Sequence, residues 1–213
     1  MSIKVVRINT TPVKGTALRQ AEEVSVQAEG VHANRRFHFI DARGTMINGK
    51  RVGELVRIHS DYDADDERLA LTFPDGRRIE ERIRLSAETV TTDFYGRPVR
   101  GHVVEGPWAR EVSGFAGLDL RLVHISAQVT GTDVHPVTLI SRATMDHIRA
   151  GSDGPRERWE DRFRMLFELD GPAPYEEDGW IDRSVAIGDA VVRVIGPVPR
   201  CVVTGSPRFQ CNK

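Results

Sequence analysis

The sequence predicts a mainly β protein with a few short helices. Three observations carry this expectation. Short β-branched runs recur along the chain, clusters of Gly, Pro and Asp separate them, and few segments keep a helical period. With 213 residues the chain can bury a sizeable core, as one large domain or two small ones.

The first expected strand is Ile3–Ile8, and Glu23–Gln27, Arg36–Asp41 and Arg51–His59 follow it. Leu69–Thr72 and Arg77–Ile83 form a hairpin around Pro74-Asp75-Gly76, where Pro presets φ and Gly accepts a positive one. Beyond Arg97-Pro98, Val99–Val104 and Asp119–His124 read as strands. Between them Pro107 to Val112 opens a short helix, with Pro at an early position and Gly114 or Gly117 near its end. Val137–Ile140 is an apolar strand that runs into a helix over 141–148, capped by Ser141 or Thr144. After a loop at 151–154, Arg164–Leu169, Val185–Ile187 and Ala190–Ile195 read as strands. The expected division is 1–97 and 98–213.

Composition excludes several classes. Thirty basic against 31 acidic residues leave a net charge of −1 and no basic field for nucleic acid. Two cysteines, Cys201 and Cys211, cannot build a disulfide framework. No apolar run approaches the ~20 residues that span a bilayer, and Met1 leads straight into a strand without signal-peptide architecture. The expected location is cytoplasmic, with reduced thiols and no membrane partner.

Individual motifs are weak signals. Asp61 to Asp66 resembles the start of a calcium loop, but Asp66 replaces the turn Gly and Thr72 the bidentate Glu, which leaves a solvated acidic loop. The seven histidines make no i, i+4 metal pair. No nucleophile elbow, Walker loop or Rossmann fingerprint occurs. Lys14 follows the first strand, either as a phosphate ligand or as a solvated turn residue. Arg35 and Arg36 open a strand and point to opposite faces, so that one meets a cavity, or the pair is simply an exposed strand end. Ser141 lies at a strand-to-helix junction suited to an anion or to an ordinary cap. In a strand, Arg162 and Arg164 share one face as an anion clamp or a salt-bridged surface. Arg200 can favour the Cys201 thiolate, or Cys201 is a small buried hydrophobe.

The order of these pieces is more specific than any one of them. It runs Pro12-Val13-Lys14, Asn34 to Asp41, Val137 to Ser141, Arg162-Phe163-Arg164, Pro174 to Trp180, Ile187-Gly188-Asp189 and Arg200-Cys201-Val202-Val203-Thr204. The series resembles the MOSC family, named after the C-terminal part of molybdenum cofactor sulfurases, and spans about residues 3 to 207. The first half resembles its N-terminal β-barrel partner domain, as in the amidoxime-reducing component group. The resemblance implies a β-barrel-like MOSC fold behind an N-terminal β-barrel-like domain. It implies the molybdenum cofactor (molybdopterin), with Cys201 as the catalytic metal ligand, a role that suits a soft thiolate. By the same resemblance Lys14, Arg35, Ser141, Arg164 and Thr204 are the cofactor-binding residues.

The sequence departs from the family pattern at Gly15 (often Ser), Asn34 (usually Asp) and Met165-Leu166 (often Pro-Asn). It also stops nine residues after Thr204, so the MOSC half reads as C-terminally truncated. No pyridoxal-phosphate domain fits in this length. The expected function is an oxidoreductase acting on small N-oxygenated compounds, supplied with electrons by a separate donor protein. The alternatives are a non-catalytic sulfur carrier or cofactor-binding module, and an inactive truncated homologue.

Overall fold

The computed structural model describes residues 3–32, 34–126, 131–133, 135–151 and 159–199. Cys201 and Thr204, with Arg200 and Cys211, lie outside the described residues. The strands are, in chain order, β1 (Lys4–Thr10), β2 (Arg19–Ala21), β3 (Val26–Gln27), β4 (Gly30–Val31), β5 (Phe37–Asp41), β6 (Met46–Ile47), β7 (His59–Asp63) and β8 (Arg68–Thr72). They continue as β9 (Arg78–Arg82), β10 (Arg84–Phe94), β11 (Arg97–Glu105), β12 (Leu120–Ile125), β13 (Leu139–Ser141), β14 (Phe167–Asp170), β15 (Ser184–Ile187) and β16 (Ala190–Arg193). Among the described residues two α-helices, α1 (Trp108–Ala116) and α2 (Arg142–Ala150), accompany a mainly β architecture, as the sequence predicts. No described helix is long and apolar enough to cross a membrane.

The chain forms two compact units. One holds residues 1–9, 20–26 and 137–213, the other 10–19 and 27–136. The boundary expected at 97/98 falls at the start of β11, inside the longest hairpin, β10–β11.

The second unit is built on a five-stranded sheet of order β10-β11-β12-β5-β6, with every neighbouring pair antiparallel. Among the described residues its order stays open at both ends. Period-2 alternation gives β5 two working faces. Phe37 and Phe39 enter the main core with Leu55, Leu69, Leu71, Trp108 and Leu122. On the opposite face lies a smaller cluster of Met46, Phe94, Val99 and Ile125. The hairpin β8–β9 forms around Pro74-Asp75-Gly76 as expected, with Phe73 N–H bonded to the Arg77 carbonyl at 2.8 Å. Trp108 starts α1, is buried, and donates its indole N–H to the Leu69 carbonyl at 3.0 Å. That bond satisfies the polar end of a side chain whose ring is sealed in the core.

Three expectations are corrected in this unit. Arg51–His59 is not a strand: Gly53–Arg57 is a short 3-10 helix. Leu55 and Val56 are both buried, and adjacent strand residues would point to opposite faces, whereas a tight helical turn carries both into one core. The acidic stretch is only partly a loop, since Asp61 and Asp63 lie in β7, paired with β8, and Asp63 Oδ1 accepts from the Asp65 and Asp66 amides. Arg35 and Arg36 precede β5 and neither is an exposed strand end. Arg35 has a φ of 54° and Arg36 is 4% exposed.

The first unit contains a four-stranded sheet, β13-β14-β1-β2, with β13 parallel and β1 antiparallel to β14. Ile140, Met145, Trp159, Phe163 and Met165 pack beside it. Ser141 caps α2 as predicted, its Oγ accepting from the Thr144 amide at 3.0 Å. The Arg164–Leu169 strand begins only at Phe167. Glu160–Arg162 is a 3-10 turn, and Arg164 has a φ of 54°. Arg162 and Phe163 are therefore both buried, and Arg162 and Arg164 do not form a common strand face.

Candidate functional site

Of the sequence-predicted site residues, Lys14 and Arg35 are brought together, both in the second unit. The segment before Lys14 runs parallel to the start of β5. Val13 bridges Phe37, the Phe37 amide bonds the Pro12 carbonyl at 3.0 Å, and the Lys14 amide bonds the Phe37 carbonyl at 2.8 Å. Gly15 then turns the chain with a φ of 92°, a conformation in which the Ser of relatives would be strained.

Lys14 is 5% exposed, so the solvated-turn reading fails. Its ammonium donates to the Gly131 carbonyl at 2.8 Å, pairs with the Asp133 carboxylate and lies 5.0 Å from the centre of the Phe94 ring. Arg35 reaches the same carboxylate, with Nη1 4.0 Å from Asp133 Oδ2. Burial pushes the Arg35 pKa down, while Asp133 and Tyr95 oppose the shift. Arg97 donates to the Thr132 carbonyl at 2.6 Å and stands 5.7 Å from the Phe94 ring centre. Three cations thus gather around residues 131–133, and one carboxylate sits between two of them.

Gly131 makes this possible. Its amide bonds the Arg35 carbonyl at 3.0 Å, and a Cβ there would lie 2.5 Å from that oxygen. The backbone approach that delivers Asp133 therefore tolerates no side chain. Asn34, in place of the family's Asp, is buried and accepts from the Thr11 amide at 3.0 Å. Beneath Phe94, His38 is fully buried, edge-on to the ring at 5.0 Å, with Nε2 2.9 Å from Thr92 Oγ1. Burial first, and the Lys14 charge second, push the His38 pKa down to about 3, so it stays neutral.

Ser141 and Arg164 lie in the other unit. At the Ser141 junction an anion is already present. Glu177 Oε1 accepts from the Ser141 amide at 2.9 Å, while Ser141 Oγ bonds Thr144 Oγ1 at 2.8 Å, which accepts from the Tyr175 amide at 2.7 Å. The motif stretch around Glu177 therefore supplies the carboxylate that this helix start attracts. Arg164 is half-buried between Phe163 and Met165.

Sequence reasoning missed Asp133, Gly131 and Glu177 as site-forming residues. Asp133 had no local signal, because its partners come from distant segments. Gly131 had only its position in a Gly-Thr-Asp stretch. Among the described residues, no group of three or more His, Cys, Asp or Glu is placed to hold a metal ion.

Residues 2–106 match the model of the MOSC N-terminal beta barrel domain. The chain is also similar to two proteins named molybdenum cofactor sulfurase. With that of Drosophila willistoni it shares 26% identity over 203 residues, which is 89% of this chain and 25% of the relative. With that of Drosophila grimshawi it shares 25% over 205 residues, 89% of this chain and 26% of the relative. The chain thus spans about a quarter of the length of these curated relatives. The solution structure of a Bordetella bronchiseptica protein aligns at a TM-score of 0.35 and 15% identity, over 53% of this chain and 95% of that one.

Proposed function

We propose, from the match of residues 2–106 to the MOSC N-terminal beta barrel domain, that this chain binds the molybdenum cofactor. The single observation that carries the reading is the carboxylate of Asp133 held between Lys14 and Arg35. It marks a position, flanked by two cations, where an anionic group is stable, and the phosphate of a pterin cofactor is such a group. Lys14 would supply a point charge and Arg35 a planar fork. The fit is partial at the remaining residues. Ser141 offers an amide that Glu177 already holds, so it would serve the cofactor only through a different partner arrangement. Cys201 is the proposed metal ligand and Thr204 a neighbouring contact, both on sequence grounds alone.

When bound, the molybdenum centre would supply two-electron oxygen-atom chemistry. The proposed activity is that of an oxidoreductase on small N-oxygenated compounds, with a separate protein as electron donor. The chain's own part is to hold the anion by Lys14 and Arg35, and to keep a neutral, dry wall behind it at His38 and Phe94. A second reading, suggested by the similarity to molybdenum cofactor sulfurases, is a sulfur carrier with a persulfide on Cys201.

The test is metal and pterin analysis of protein purified from a cofactor-competent host. The intact chain should retain both. Arg35→Ala should lose most of each, and Cys201→Ala should lose the metal. Absence of molybdenum and pterin from the intact protein overturns the reading. A trapped persulfide on Cys201 without metal would favour the sulfur carrier.

A further inference from the structure

Arg36 presents a problem of charge that the cofactor reading does not absorb. It is 4% exposed, and among the described residues no carboxylate pairs with it. Nη2 stands 3.4 Å from His124 Nε2, and Nε has no partner. The titratable groups facing it are Tyr62 from β7 and, around His124, His102 from β11 and the exposed His32. His102 and His124 lie directly opposite each other across β11 and β12, and cross-strand partners share a face. His124 in turn contacts Phe37 at 4.9 Å, and Phe37 contacts Tyr62 at 5.0 Å. Burial, Arg36, His102 and His32, in that order, push the His124 pKa down to about 4, so its ring is neutral.

A guanidinium removed from water is stable only with a counter-charge and satisfied donors. Among the described residues no counter-charge is supplied and Nε is left without an acceptor, although cation-capable groups converge from four segments. The half-buried His102, His124 and Tyr62 connect the group to the surface at His32. Nε and Nη2 form one edge of the guanidinium, the edge that meets two oxygens of a tetrahedral oxyanion.

We propose that Arg36, with His124 and His102, forms a second anion site, separate from Lys14 and Arg35, that takes a phosphate group, free or as a small monoester. Phosphate is favoured over a carboxylate because its extra oxygens and charge match one permanent cation together with the Nδ1–H that His124 keeps when Nε2 accepts from Arg36, while His102 Nδ1 faces the Ser86 carbonyl at 3.3 Å and lines the site. The site does not depend on molybdenum cofactor binding, so the two readings fail independently.

The experiment uses the whole chain labelled with nitrogen-15 at histidine. Inorganic phosphate and methyl phosphate are titrated separately at pH 7, with ionic strength held constant by chloride. The expected result is saturable movement of the His124 and His102 ring signals with at least one of the two. Arg36→Gln should weaken that binding at least tenfold, and His124→Gln severalfold. Arg36→Lys, which keeps the charge and loses the fork, should weaken it about fivefold and serves if the Gln variant does not fold. Tighter binding of methyl phosphate assigns the ester as the ligand, and tighter binding of inorganic phosphate assigns the free ion. Linear movement equal to that in chloride, or binding by Arg36→Lys as tight as by the intact chain, overturns the proposal.

Discussion

Arg35 and Arg36 are neighbours in sequence and opposites in electrostatics. Arg35 shares the Asp133 carboxylate with Lys14, and its backbone is fastened to Thr11 and Gly131. Arg36 is less exposed to solvent and, among the described residues, its side chain meets a histidine ring and the field of Tyr62. The difference teaches that a charge motif is completed by distant chain. The loop at 131–133 delivers a counter-charge on one side of β5, and nothing equivalent among the described residues reaches the other. The first cluster is a closed ion pair and the second an open one.

Acid should act on both clusters and produce the largest effect. His38 and His124 are neutral in the fold down to about pH 3 and 4 respectively, while the unfolded chain binds protons at about 6.5. Between these values the unfolded state carries more protons, so stability falls as the pH drops. At pH 5 the loss from His38 is about 2 kcal/mol, and that from the more exposed His124 is of similar size. Urea midpoints at pH 7 and 5 measure it. His38→Gln should remove about half of the slope, and a slope unchanged in that variant would show that other groups cause it.

Asp133→Ala should be next, opening the closed cluster by leaving Lys14 buried without its carboxylate. Breaking a buried pair costs about 3–5 kcal/mol, and the half-exposed Asp133 reduces this to roughly 2 kcal/mol. A thermal midpoint within a degree of the intact protein would break the contrast with Arg36. Gly131→Ala should cost about 1–2 kcal/mol, because its Cβ meets the Arg35 carbonyl at 2.5 Å. It should also reduce retention of pterin. Arg36→Leu should have the smallest effect, within about 0.5 kcal/mol of the intact chain or stabilising, since it removes an uncompensated charge. A loss above about 2 kcal/mol would mean that Arg36 is compensated after all.

Much of the fold was legible where turn chemistry and side-chain period agree. The Pro74-Asp75-Gly76 hairpin, the Ser141 cap and β5 are examples. β10 was not legible. Its eleven residues are mostly polar and exposed, and it is a strand because β11 holds it. The Arg162-Phe163-Arg164 alternation reads as a strand, yet both Arg162 and Phe163 are buried in a tight turn, where packing overrides local period. For the site, residue types at Lys14 and Arg35 pointed to an anion. What they face could not be read, because Asp133 acts through tertiary placement alone. Ser141 was read as a cap or an anion junction, and Glu177 makes it both.

The interleaving of the two units has a practical consequence for dissection of the protein. The backbone passes from one unit to the other after residues 9, 19, 26 and 136. A fragment ending at residue 106 would keep β5 and β11 but lose β12, which lies between them in the sheet. Two strands would then present raw edges, an invitation to self-association rather than to independent folding. Such a fragment would also carry Lys14 and Arg35 without Gly131 and Asp133. The shortest excision that preserves this anion-holding arrangement therefore runs through Asp133, well past the limit of the matched domain.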